Sequence, residues 1–146
     1  MRQLGADDAI DYTQNGWADA VKAATDGRGA DIFLDATGDT EHGSLKPLAP
    51  GGIWVLYGSQ KGGHGDLGGG ELAGIIGNSQ TIRGCTLYSV LPDSDAIATA
   101  LKDLLAWNAE GRLQVRADDR FPLAQAAEAH TAIAARRTTG KVVLEP

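Results

Sequence analysis

One glycine pattern in the sequence has the spacing of a dinucleotide-binding turn. Gly63, Gly65 and Gly68 form a G-x-G-x-x-G, in which backbone N–H groups at a helix N-terminus would hold a pyrophosphate. That use needs a strand directly before the pattern, a helix directly after it, and a ribose-binding carboxylate about 20 residues on. The preceding strand is predicted to end at Gly58, more glycines follow Gly68, and the next predicted strand ends without a carboxylate. We therefore interpret residues 60–79 as a surface loop.

The other reactive side chains do not form a metal or nucleophile pattern. The three histidines lack metal-ligand spacing with one another or with Cys85, and no Ser-His-Asp arrangement follows from spacing alone. Asp35, at the end of a predicted buried strand, is the one carboxylate whose position suggests a role. A satisfied structural carboxylate is the favoured interpretation there, so no residue is assigned to catalysis and no metal is expected.

Composition narrows the class of partner. The 146 residues are enough for one domain, and the net charge of −6 argues against nucleic acid or an anionic membrane as partner. Cys85 is the only cysteine, which excludes an internal disulfide and fits a reducing cytosol. The sequence has no apolar run of membrane-spanning length and begins without a signal-peptide pattern. We therefore expect a cytoplasmic protein.

The elements that must position any site alternate along the chain. Strands are predicted over residues 30–37, 53–57, 80–88 and 141–144, with extended stretches at 8–12 and 113–121. Helices are predicted over residues 15–26, 40–46 and 122–137, over the segment between Pro92 and Gly111, and over a short stretch at 71–76. This alternation predicts a parallel, doubly wound α/β sheet, and the apolar run in 30–37 predicts a strand buried on both faces. Ligands lie outside the carboxyl ends of such strands.

Four phrases of the sequence resemble one family in their order and wording. They are LGADDAIDY, GRGADIFLDATG, LAPGGIWVLYG and FPLAQAAEAHTAIAARRTTGKVVLEP. Together they resemble the C-terminal half of the medium-chain dehydrogenase/reductase superfamily, and most of all its zinc-independent, NADPH-dependent quinone oxidoreductases. The resemblance implies an α/β fold with a partial Rossmann-type parallel sheet that lacks its first βαβ unit, the unit that carries the family's glycine fingerprint. It further implies that residues 1–113 belong to the nucleotide-binding domain and that 114–146 return to the catalytic domain.

The resemblance also implies which residues contact the cofactor, and the strand-end rule selects nearly the same set. Tyr12 is expected at the adenosine end, and the strand end at Thr37 and Gly38 is expected beside the ribose. The residues expected near the nicotinamide, and in the return phrase that closes over the cofactor, are Gly58, Ser59, Thr86, Leu87 and Tyr88, and Thr139, Gly140 and Lys141. An ordinary structural role is the alternative for each. NADPH is the implied cofactor, and NADH stays open because the segment that reads the 2′-phosphate precedes these phrases in the family.

Two functions follow as alternatives. The first is hydride transfer from NAD(P)H to a quinone or enone by a longer enzyme, of which this chain is a fragment with weak or no activity alone. The second is a non-catalytic α/β module for dimerisation or nucleotide binding. In the family, the strand that matches residues 80–88 lies at the sheet edge and pairs across a two-fold axis, which implies a homodimer.

Overall fold

The structure is a computed structural model that describes residues 1–37, 43, 45–58, 67–91 and 93–146. Its helices are α1 Trp17–Ala23, α2 Gly69–Gly77, α3 Leu87–Val90, α4 Ser94–Ala109 and α5 Ala126–Ala134, and its strands are β1 Ala30–Asp35, β2 Leu48–Leu56, β3 Thr81–Gly84, β4 Asp119–Pro122 and β5 Val142–Glu145. The chain separates into two compact units, Met1–Pro92 and Asp93–Pro146. The helix predicted over 40–46 lies mostly outside the described residues.

A parallel sheet forms the centre of the first unit. Among the described residues its strand order is β1-β2-β3, and both strand pairs are parallel. Phe33 lies opposite Trp54, and Trp54 lies opposite Ile82, so side chains of the same face come into line across the strands. The α/β fold with parallel strands that the sequence predicts is therefore confirmed.

Aromatic side chains pack the covered face of this sheet. Trp54 is only 1% exposed and stacks on Phe33 with 6.4 Å between ring centroids. Phe33 in turn contacts Trp17 of α1, also at 6.4 Å. Helix α1 and the two strands therefore meet through large apolar rings.

The opposite face of β1 is exposed, which corrects one expectation. Ile32 and Leu34 are 64% and 63% exposed, although the apolar run predicts a strand buried on both faces. In the described sheet β1 is an edge strand, and alternation directs Ile32 and Leu34 away from the face that carries Phe33. A continuous apolar run therefore predicts a strand, but burial of its two faces depends on which elements pack against each face.

Local signals place some element boundaries correctly and others not. Asp93 and Ser94 are both residue types that can cap the long helix, and Asp93 is the cap, because its Oδ1 accepts the N–H of Ala96 at 2.8 Å before α4 begins. Asn15 is a residue type that can cap the helix predicted over 15–26, but it is not the cap of α1, which begins at Trp17 after Gly16 in the left-handed region. The strand predicted over 80–88 ends at Gly84, and α3 follows it. Thr86, Leu87 and Tyr88 therefore lie outside the strand.

The second unit holds α4 and a β4-α5-β5 arrangement. In the part of this unit that the structure describes, β4 and β5 pair in parallel, and α5 crosses between them with Ala129 and Ala132 buried. The apolar stripe of α4, with Leu101 and Leu105 among its members, is exposed. The division expected at 113/114 concerns the family's domains and stays a prediction, whereas the compact units divide at 92/93.

Among the helices of the described residues, none combines the length and the apolar character needed to cross a bilayer.

Truncation of the buried indole should unfold the first unit selectively. We expect Trp54→Ala to lower the free energy of unfolding by about 3–5 kcal/mol, because a fully buried ring is lost from a packed face. The matched control is Trp107→Ala, since Trp107 is exposed on α4, where its ring lies against the Arg112 guanidinium. Urea unfolding followed by circular dichroism measures both, and equal losses in the two variants would contradict the assignment of Trp54 as the core residue.

Candidate functional site

The carboxyl ends of the three parallel strands meet at one edge of the sheet. The hydrogen-bond ladder continues past the strands, since Tyr57 N–H donates to the Asp35 carbonyl at 3.0 Å and Cys85 N–H donates to the Leu56 carbonyl at 2.8 Å. The segments that follow β1, β2 and β3 therefore leave the sheet side by side. This edge, formed by residues 35–37, 57–58 and 85–88, is called the strand-end edge below.

A buried carboxylate organises the first of these segments. Asp35 is 4% exposed, and its Oδ1 accepts hydrogen bonds from the N–H and the hydroxyl of Thr37, each at 2.8 Å. Its Oδ2 accepts the indole Nε1–H of Trp54 at 3.2 Å. Thr37, expected beside the ribose, is thus tied to the sheet through Asp35. Its neighbour Gly38 lies outside the described residues.

Gly58 lies against the backbone of the first segment. A Cβ built on Gly58 would collide with the carbonyl oxygen of Ala36 and lie 3.1 Å from its carbonyl carbon. Glycine is required at this position because two backbone segments approach more closely than a side chain permits. Ser59, the next predicted contact residue, lies outside the described residues.

The third segment is a helix start where a strand end was expected. Thr86 caps α3, since its Oγ1 accepts the N–H of Ser89 at 3.3 Å. The prediction that Thr86, Leu87 and Tyr88 end a strand is therefore wrong, because a capping threonine favours a helical turn over further strand pairing. The three residues still follow β3 at the strand-end edge, and Tyr88 is 88% exposed.

Tyr12, the residue expected at the adenosine end, sits in a turn fixed by its neighbour. The carboxylate of Asp11 accepts hydrogen bonds from the N–H and hydroxyl of Thr13 and from the side chain of Gln14. The bonds from Thr13, and then the bond from Gln14, lower the pKa of Asp11 below its usual value. Tyr12 is half-buried, and it lines a cavity of about 260 Å³ with residues 13–19 and Lys46.

Gly68, the described end of the glycine pattern, is hydrogen-bonded to a carboxylate of the chain itself. Helix α2 begins at Gly69, earlier than the helix predicted over 71–76, and the N–H of Gly68 donates to Glu71 Oε2 at 2.8 Å. A carboxylate that occupies a helix N-terminus both satisfies a donor and repels a phosphate. Gly63 and Gly65 lie outside the described residues. The interpretation of this stretch as no phosphate-binding turn stays a prediction, and the Glu71 contact supports it.

The return phrase is held inside the second unit. Thr139 N–H donates to Asp119 Oδ2 and Lys141 N–H donates to the Arg116 carbonyl, both at 2.8 Å. Gly140 has φ +82°, and a Cβ there would lie 2.8 Å from the Cβ of Arg116. Glycine at this position therefore has a structural reason of its own, whether or not the phrase contacts a ligand.

Metal-binding side chains are not grouped in the described part of the chain. No group of three or more His, Cys, Asp or Glu residues there is placed to hold a metal ion. His42 and His64 lie outside the described residues. The described residues therefore do not fit a zinc centre, and no chemical step is assigned to one.

Fold and sequence together place the chain in a known class. The parallel strands and the α/β order are those of a Rossmann-like, nucleotide-binding protein. The sequence profile of one family, described as zinc-binding dehydrogenase, matches residues 4–144. The chain belongs to this family.

Named relatives agree with this assignment and are longer than the chain. A quinone oxidoreductase of Pseudomonas aeruginosa strain PAO1 is 36% identical over 148 residues, which cover 99% of this chain and 44% of the relative. A quinone oxidoreductase structure from Pseudomonas syringae is 32% identical with a TM-score of 0.84, and it too is 44% covered by 99% of this chain. A mycobacterial protein solved in complex with NADPH is 28% identical with a TM-score of 0.86, over 99% of this chain and 44% of that one. The chain thus spans less than half the length of these relatives.

Adding one methyl group at the strand-end edge tests the close approach at Gly58. We expect Gly58→Ala to lower the free energy of unfolding by about 1–3 kcal/mol, because the new Cβ forces the Ala36 backbone to move. Gly84→Ala is the control, since Gly84 ends the neighbouring strand and a Cβ there meets nothing within 4 Å. We expect the control to change stability by less than about 1 kcal/mol. Thermal unfolding of both variants decides the matter, and a harmless Gly58→Ala would show that the two segments are not locked together.

Proposed function

We propose that this chain is the cofactor-binding part of an NADPH-dependent quinone oxidoreductase of the cytoplasm. In this proposal the longer enzyme transfers a hydride from NADPH to a quinone, and the chain alone has weak or no turnover. The carrying observation is the strand-end edge, where residues following β1, β2 and β3 lie side by side outside the carboxyl ends of parallel strands.

The relatives support the choice of cofactor and substrate. The P. aeruginosa relative is a quinone oxidoreductase, and the mycobacterial structure holds NADPH. In the proposal, Thr37 and Gly38 lie along the ribose, Gly58 and Ser59 lie near the nicotinamide, and Tyr12 lies at the adenosine. The remaining proposed contacts are Thr86, Leu87 and Tyr88 at the same edge and Thr139, Gly140 and Lys141 in the second unit.

The proposed reaction requires little acid–base catalysis from the protein. NADPH supplies the hydride, and the quinone takes up that hydride and one proton to become a hydroquinone. The chain's residues would orient the nicotinamide against the sheet edge and exclude water from one side of it. This division of labour agrees with the lack of a nucleophile or metal pattern in the sequence.

Weak activity of the isolated chain follows from how a pyrophosphate is held. In dinucleotide-binding folds the diphosphate rests on glycine backbone N–H groups at a helix N-terminus. Here Glu71 occupies the N-terminus of α2, and the chain spans 44% of the P. aeruginosa relative. Much of the binding energy for the cofactor would then come from residues outside this chain.

Cofactor binding and turnover are the direct tests. We expect NADPH to change the fluorescence of Trp17 and Trp54 in a Trp107→Phe background, with a Kd far weaker than in a protein extended by the in-frame upstream coding sequence. We expect the extended protein, and not the isolated chain, to oxidise NADPH with a simple quinone. Titration with NADH in parallel measures cofactor preference. Robust turnover by the isolated chain would refute the weak-fragment proposal, and an extended protein that binds neither nucleotide would refute the function.

A dimerisation module is the second candidate, favoured by the position of β3. Within the described sheet β3 is an edge strand, and an unpaired edge can add a strand from another molecule. A second copy paired antiparallel across a two-fold axis would extend the sheet through both subunits.

Sedimentation equilibrium tests this second candidate. We expect the chain to form dimers at high concentration, and we expect Ile82→Pro, which removes a backbone donor from β3, to shift the mass towards the monomer. Ile82→Ala, which shortens the same side chain but keeps the backbone N–H, serves as the comparison. A wild-type chain that remains a strict monomer at every concentration would exclude the dimer proposal for this chain.

A further inference from the structure

Asp35 is a buried charged group to which the proposed function gives no part. It lies at the end of β1 and is 4% exposed, whereas carboxylates are almost never fully buried unless they are paired. Its Oδ1 accepts hydrogen bonds from Thr37, which follows β1, and its Oδ2 accepts one from Trp54 in β2. This arrangement needs a reason beyond filling space, since an apolar residue would fill the same space without desolvating a charge.

The carboxylate links the strand-end edge to the most rigid part of the unit. Trp54 is 1% exposed and stacked on Phe33, so its Nε1–H is a fixed donor. The hydrogen bond from Trp54 to Oδ2 fixes the orientation of the Asp35 carboxylate. The carboxylate in turn orients Thr37, because its Oδ1 accepts both the N–H and the hydroxyl of that residue. The Asp35 carbonyl, at the same residue, accepts the N–H of Tyr57 at 3.0 Å, which aligns the end of β2.

Only a carboxylate satisfies this set of donors. An aspartate offers acceptors on both oxygens, whereas an asparagine offers one acceptor and one NH₂ donor. If the asparagine oxygen faced Thr37, its NH₂ would oppose the Trp54 N–H. If the amide were flipped, its NH₂ would oppose the Thr37 N–H. Either way, two donors would face each other. Because the Trp54 N–H is the more deeply buried donor, we expect the amide oxygen to face it, and the turn at residues 36–37 would then have to move away from the NH₂.

We propose that Asp35 is a positioning residue that holds Thr37 and the adjoining strand-end edge in the orientation that binds the nicotinamide half of NADPH. This inference rests on the proposed function. Asp35 itself does not touch the cofactor in this proposal, because its oxygens are occupied by protein donors. It acts through Thr37, whose N–H and hydroxyl both donate hydrogen bonds to Asp35, which fixes the turn that includes Ala36, the residue against Gly58.

The test compares local and global responses to NADPH in the 146-residue chain. In wild type we expect NADPH to shift the backbone amide NMR signals of Thr37, Gly58 and Tyr12. In Asp35→Asn we expect the Kd for NADPH to rise about tenfold, with the responses of Thr37 and Gly58 lost and that of Tyr12 retained. A residue that served stability alone would weaken all three responses together.

Two further variants keep the test decisive. Trp54→Phe removes the indole donor while leaving an aromatic ring, so it replaces Asp35→Asn if that variant does not fold, and the same selective loss is expected. Leu48→Val lowers stability at the opposite end of β2, where Leu48 is buried, and should therefore affect the three responses alike, with no selective loss at Thr37 and Gly58.

The outcomes separate this inference from the function on which it rests. A wild-type chain that shows the three responses, with Asp35→Asn responding identically or losing all three alike, would overturn the positioning role and leave the proposed function intact. A wild-type chain in which NADPH shifts neither Thr37 nor Gly58 would overturn the positioning role, whereas the proposed function is overturned only by an extended protein that binds neither nucleotide.

Discussion

The hydrogen bond between the Trp54 indole and the Asp35 carboxylate joins the core of the first unit to its candidate site. Trp54 belongs to the packed aromatic face of the sheet, and Asp35 begins the segment that leaves the sheet. A buried carboxylate is stable only when hydrogen-bond donors satisfy its oxygens. Packing of one ring therefore decides the direction of the chain at the point where a ligand would arrive.

The same principle, an anion satisfied from within the chain, appears at the glycine pattern. Glu71 accepts the N–H of Gly68 at the start of α2, so the helix end that the motif would offer to a phosphate already holds a carboxylate. A motif defined by spacing alone does not include this occupant. Glycine-rich stretches in a chain with 20 glycines require a structural context before they indicate nucleotide binding.

Much of the fold follows from short-range signals that the sequence displays directly. The apolar runs predict β1 and β2, and Asp93 predicts the start of α4, because buried strands and capped helices have local patterns. The strand predicted over 80–88 fails at Thr86, where a local cap competes with strand pairing. The exposure of Ile32 and Leu34 was also not predictable, since it depends on which elements pack on β1.

The candidate site likewise includes residues that the sequence predicts and contacts that it does not. Thr37, Gly58 and Tyr88 could be selected because parallel strands place their carboxyl ends at one edge. The turn at Thr37 also has a sequence signal, an aspartate two residues before a threonine, which typically forms a side-chain-to-backbone turn. No comparable sequence signal indicates that Trp54 contacts Asp35. Its contact with Asp35 depends on the register between β1 and β2, with Phe33 opposite Trp54, and register is fixed by the whole sheet.

The bare side chains of Ile32 and Leu34 have a consequence for the colloidal behaviour of the protein. Apolar surface of this kind attracts its like in another molecule, so dispersal in water relies on mutual repulsion between copies that each carry a net charge of −6. That repulsion vanishes as the pH approaches the isoelectric point of about 4.9. It is also screened when ionic strength shortens the Debye length to a few ångströms. Dilute, slightly alkaline, low-salt buffers are therefore the natural conditions in which to handle this chain.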